Sequence, residues 1–257
     1  MPVLLLKLLF VCATIQPNPR LLLTSAGIST QNHKEAFCDL FKLAKDAAQQ
    51  PRVTVLATAM MAPSNSKNTN RSPGELRRRR WADARKKVNV LQTYISELVG
   101  EQIDVTCVDC ARDEIEIVEE ALCASRCIWV TGGNTFYLWH NVRASGTDQF
   151  IRNRVGDGAL YVGCSAGAII AGKSIETAFW KEMDDPAAAP DADWSDQSAL
   201  QAIGLVPSQI FFPHYSPRWK SLVEERNRLR VADSHDTVPA ELVCLEDDGF
   251  AFISGWE

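Results

Sequence analysis

Short apolar runs alternate along this chain with segments of helical period, and that alternation constrains its fold more than any other feature. Residues 20–26, 52–59, 103–108, 127–131 and 160–163 read as buried strands. Residues 33–49, 76–98, 113–123, 135–144 and 148–155 read as helices between them, and another helix starts at Ala166. In the first helix Phe37, Leu40, Phe41 and Leu43 supply the apolar face, and Pro51 ends it. Strands separated by helices of this length need crossover connections, which build a largely parallel sheet covered on both faces. Residues 209–213 and 242–245 add later strands, and residues 250–253 are expected to complete a hairpin. The expected class is α/β with a mainly parallel sheet.

The 257 residues suit one large domain or two small ones, at roughly 100–200 residues per domain. Hydrophobic residues are 46% and charged residues 23%, which excludes a disordered, collagenous or coiled-coil chain. A formal net charge of −5 disfavours general nucleic-acid binding. Arg77, Arg78, Arg79 and Arg80 are consecutive, so they point around a helix rather than along one stripe, and read as a solvated face. No apolar run reaches the length of an ordinary transmembrane helix, so no membrane partner is expected. Residues 1–19 form an extension whose apolar start is interrupted by Lys7, and read as either a weak signal segment or an extra strand.

Eight cysteines include a Cys107–Cys110 pair at CxxC spacing, followed by Cys123 and Cys127. A zinc or redox site is one reading of that spacing. Their placement in and beside apolar strands favours buried free thiols, hence no metal and a cytoplasmic home, with secretion the lesser alternative.

Chemistry concentrates at Gly163-Cys164-Ser165-Ala166-Gly167, a G-x-S-x-G motif between a strand and a helix. A sharp turn there lifts the Ser165 hydroxyl above the sheet, and the helix start aims the Ala166 N–H at the same point. The plain alternative is a tight strand–helix turn without catalytic meaning. Trp129–Phe136 runs through Gly132-Gly133-Asn134, where backbone N–H groups stand free of side chains. Gly133 is the expected second oxyanion donor, and Asn134 reads equally as a helix cap.

Of four histidines, His33 and His235 look like surface residues, and His140 lies within a helix. His214 ends the apolar strand Ile210-Phe211-Phe212-Pro213, the best place for a base facing Ser165. An acid must orient its ring. Glu246, Asp247, Asp248, Glu182, Asp184 and Asp185 are all candidates, and sequence geometry does not choose among them.

The set GGNTF, GCSAGA, PHYS and a late-strand acid, in that order over residues 20–257, resembles the peptidase E family of aspartyl dipeptidases and the related cyanophycinases. The resemblance implies a single catalytic domain over residues 20–257, a three-layer α/β/α sandwich like that of class I glutamine amidotransferases. It implies a Ser165–His214–Glu246 triad, oxyanion donors at Gly133 and Ala166, no metal or organic cofactor, and hydrolysis of dipeptides or short peptides through an acyl-enzyme. Asn134, Thr135, Arg218 and Arg226 are the expected substrate contacts. The chain departs from the family where a substrate-binding arginine is expected, because Glu225 stands there with Arg226 beside it, and where an Asp is common, because Trp180 stands there. Aspartyl preference is therefore in doubt, and a cyanophycinase-like isopeptidase or an inactive binding protein of the same fold are the rival readings. A cysteine mechanism is disfavoured, because Cys164 precedes the nucleophile position and faces the other side of the strand. The expected partner is a small peptide, with the oligomer open between monomer and homodimer.

Overall fold

The computed structural model describes residues 19–46, 50–63, 72–233, 238–249 and 251–254. The expectations placed on residues 1–18 and on His235 lie outside these described residues. Strands β1 (Arg20–Thr24), β2 (Arg52–Leu56), β3 (Asp104–Val108), β4 (Cys127–Val130) and β5 (Leu160–Cys164) are joined by helices. These are α1 (Gln31–Leu43), α2 (Pro73–Val99), α3 (Ile115–Cys123), α4 (Thr135–Ala144) and α5 (Thr147–Gly156). Then come α6 (Ala166–Ala171), α7 (Gln197–Leu200), β6 (Gln209–Tyr215), α8 (Lys220–Asp233), β7 (Glu241–Glu246) and β8 (Phe252–Ser254).

The main sheet has the order β3-β2-β4-β5-β1-β8 and is parallel except for β8. Side chains alternate across it with period two. Leu21 and Leu23 of β1 and Ile128 and Val130 of β4 join the core under α3, α4, α5 and α6. Leu22, Cys127 and Trp129 join the opposite core with Phe37, Phe41 and Ile95 of α1 and α2. Both faces are thus buried, which is why these strands read as continuous apolar runs.

Two sequence expectations change. Residues 252–254 do not form a hairpin with β7; they pair antiparallel with β1, Ile253 opposite Leu22, and close that edge of the sheet. Strands β6 and β7 leave the main sheet and pair in parallel with each other, burying Phe212 and Ile210 with Val223 of α8. The polar helix α8, with mostly exposed positions, carries too weak an apolar period to be read from sequence. All cysteines among the described residues are free. Burial pushes the Cys107 and Cys110 thiols up to about 11, against a reactive CxxC pair. Among the described residues no cluster of His, Cys, Asp or Glu is arranged to hold a metal ion. Arg77, Arg78 and Arg79 are exposed, as expected of a solvated helix face. Among the described residues no helix is long and apolar enough to cross a membrane.

Candidate active site

The parallel pairing of β4 with β5 brings their carboxyl ends side by side, the edge at which such sheets bind ligands. After β5 the chain turns into α6 through Ser165, whose φ of 50° and ψ of −107° lie where L-residues are rarely found. Small neighbours make the turn possible. A Cβ at Gly163 would meet the Gly167 carbonyl oxygen at 2.6 Å, and one at Gly167 would meet the Val130 oxygen at 2.4 Å. The buried Tyr161 hydroxyl donates to Gly167 O at 2.7 Å, satisfying both groups and tying β5 to the start of α6.

The glycine turn after β4 packs against this one. A Cβ at Gly132 would lie 3.1 Å from Ser165 Cβ. Gly133, at φ 140°, passes so close to Ala59 that a Cβ would sit 2.3 Å from its carbonyl oxygen. Ala166 is the first residue of α6, so its N–H has no acceptor within the helix. Gly133 and Ser165 line the same cleft, of about 560 Å³, with Asn134, Ile169, Lys181, Asp184, Asp185 and Phe212 among its other walls.

His214 comes from outside the main sheet. The register between β6 and β7 slips between Phe212 and Tyr215, and His214 takes a φ of 54° within that slip. Its backbone N–H donates to Ser25 Oγ at 2.9 Å, while the Ser25 hydroxyl donates to Leu245 O at 2.8 Å. Ser25 therefore joins the ends of β6 and β7 to the end of β1. The imidazole Nε2 lies 2.9 Å from Ser165 Oγ. Its Nδ1 lies 2.6 Å from Asp247 Oδ1. A carboxylate only accepts, so Nδ1 carries the hydrogen and Nε2 presents its lone pair to the serine.

The acid in contact with His214 is thus Asp247, where Glu246 was expected. Glu246 is the last residue of β7, next to the buried Leu245. Its carboxylate lies along the chain beside Gly249, where a Cβ would be 2.1 Å from Oε2. One residue on, the chain has left the strand and its side chains point elsewhere. The Asp247 carbonyl accepts from Ser29 Oγ at 3.0 Å, which fixes the bend.

The expected substrate residues divide. Asn134 lines the cleft, but its side chain is committed: Oδ1 accepts from Tyr137 N at 2.8 Å as the cap of α4, and Nδ2 donates to Asp185 O at 2.9 Å. Thr135 is fully buried, and its N–H donates to Asp184 Oδ2 at 3.0 Å. Burial raises the Asp184 carboxyl, and the hydrogen bond from the Thr135 N–H pulls the other way. Arg218 is exposed and stacks 5.0 Å from the Trp219 ring centre. Arg226 is exposed on α8 and is not among the cleft-lining residues, nor is Glu225, which pairs with Arg228 at 2.9 Å. Trp180 is buried against Phe212. His33, expected at the surface, is buried, and its Nε2–H donates to Gly249 O at 3.1 Å. Lys181 and Ser25 were not singled out from sequence, because only the fold brings them to His214.

The family model described as peptidase family S51 matches residues 82–255. A peptidase of Listeria innocua serovar 6a, itself uncharacterised, is 32% identical over 108 residues, covering 42% of this chain and 48% of that one. Peptidase E of a Shewanella species is 31% identical over 128 residues, covering 50% of this chain and 48% of that one. The chain thus spans about half the length of the curated relatives it matches. Among solved structures, a provisionally named peptidase E protein from Listeria monocytogenes EGD-e superposes with a TM-score of 0.53. It is 20% identical, with 89% of this chain and 91% of that chain covered, a likeness of fold. With the family model spanning more than half of its residues, the chain belongs to peptidase family S51.

Proposed function

We propose that this chain is a serine-type peptidase acting on dipeptides or short peptides. The observation that carries the reading is the line Ser165 Oγ–His214 Nε2, 2.9 Å, continued as His214 Nδ1–Asp247 Oδ1, 2.6 Å. His214 takes the Ser165 proton as the hydroxyl attacks the peptide carbonyl, and Asp247 holds the tautomer and the imidazolium that results. The N–H groups of Gly133 and Ala166 face the developing oxyanion. His214 then protonates the leaving amine, and water attacking the acyl-enzyme returns Ser165. The cleft of about 560 Å³ suits a small peptide better than a folded protein. Its basic wall residue is Lys181 rather than an arginine, and Asp184 and Asp185 lie beside it, so strict aspartyl preference has little support.

The test is hydrolysis of Asp-X, isoAsp-X, Glu-X and β-Asp-Arg peptides by the wild type beside Ser165→Ala. Cleavage by the wild type alone is expected, with a serine-directed phosphonate labelling Ser165. Absence of both cleavage and labelling in a folded sample would sink the reading and favour a binding protein.

A further inference from the structure

Strand β6 leaves its ladder just where it carries the histidine. Pairing with β7 holds at Phe212 and resumes at Tyr215, so Pro213 and His214 fall outside it. Pro213 has no N–H, the His214 N–H is taken by Ser25 Oγ, and each of the two successive carbonyls accepts a hydrogen bond from a side chain. Lys181 supplies both. Its Nζ donates to Pro213 O and, at 2.9 Å, to His214 O. Its ammonium lies 4.2 Å from the Phe212 ring centre and 5.3 Å from that of Trp219, and the preceding residue, Trp180, is buried against the same Phe212.

We propose that Lys181 is a positioning residue for His214, clamping the two carbonyls at the kinked end of β6 so that the imidazole stays aimed at Ser165. This rests on the reading of Ser165 and His214 as nucleophile and base. A half-buried lysine is a costly choice for a merely structural contact. Here the cost falls on the one backbone segment whose left-handed conformation aims the base. Burial lowers the Lys181 ammonium to about 8. That value already includes the opposing pull of Asp247, Cys244 and Asp184 and the further lowering by Arg218. The charged clamp is therefore complete below about pH 8 and weakens above it.

The experiment compares wild type, Lys181→Met, which keeps the aliphatic stem, and Lys181→Arg, which keeps charge and donors. Readouts are kcat and KM against pH, thermal melting, and the imidazole nitrogen resonances of His214, assigned with His214→Asn. The expected result is a fall in kcat of roughly tenfold to a hundredfold in Lys181→Met with KM unchanged, as for a base displaced by about an ångström. The His214 resonances should move or broaden in that variant. Lys181→Arg should restore most of the rate and carry it to higher pH than the wild type. A rise in KM with kcat and His214 resonances unchanged would overturn the proposal and make Lys181 a substrate contact. If Lys181→Met does not fold, the alkaline limb of Lys181→Arg decides, and an unmoved limb overturns the clamp. If the wild type neither cleaves peptides nor labels at Ser165, the peptidase reading fails, and the His214 resonances still decide the clamp.

Discussion

At Glu246 and Asp247 a single peptide unit separates the acid that touches His214 from one that does not. Sequence could bring the choice down to a handful of carboxylates after a late strand and after the Ser165 helix, and the resemblance pointed to Glu246, whereas the structure places Asp247 against the ring. The deciding quantity is where β7 stops, and strand ends are set by pairing partners rather than by local residue type. Ser165 and His214 were legible because each sits at the junction of an apolar strand with a turn, a local signal. Lys181 and Ser25 were not, because their role is a contact made across the fold. Asp247→Asn should lower kcat by about a hundredfold or more by favouring the wrong imidazole tautomer, with KM little changed. Glu246→Gln should stay within about threefold of the wild type in the same assay, since its carboxylate does not touch the ring. Equal losses in both would mean that the bend after β7 is shared between the two acids.

Among the elements, the five core strands and the helices between them followed from periodicity, with boundaries displaced by a few residues. The pairing of β8 with β1 did not, because a three-residue strand carries no sign of its partner. The separate β6–β7 pair was hidden for the same reason, since both strands look like any other buried run. Helix α1 shows how an element away from the cleft reaches it. Thr30 Oγ1 accepts from His33 N at 3.2 Å, and His33 in turn donates to Gly249 O beside the Asp247 bend. Thr30→Ala should cost about 1 kcal/mol in denaturant unfolding, the usual loss for an N-cap. Its kcat should fall less than that of Asp247→Asn, because His33 keeps its own bond to the bend.

Over the whole molecule, two cores on either face of one sheet hold a site whose central pair adopts backbone conformations that L-residues avoid. Ser165 at φ 50° and His214 at φ 54° are maintained against their own preference by the packing around them. Glycine at either position would take the same conformation without penalty. Ser165→Gly should therefore melt higher than the wild type by about 2–4 °C, corresponding to about 1 kcal/mol in a chain of this size, while losing all hydrolysis. A lower melting temperature would show that the serine side chain stabilises its turn. The consequence reaches into the chain's history. Wherever a lineage stops needing the reaction, drift at residue 165 runs downhill toward a sturdier, silent protein.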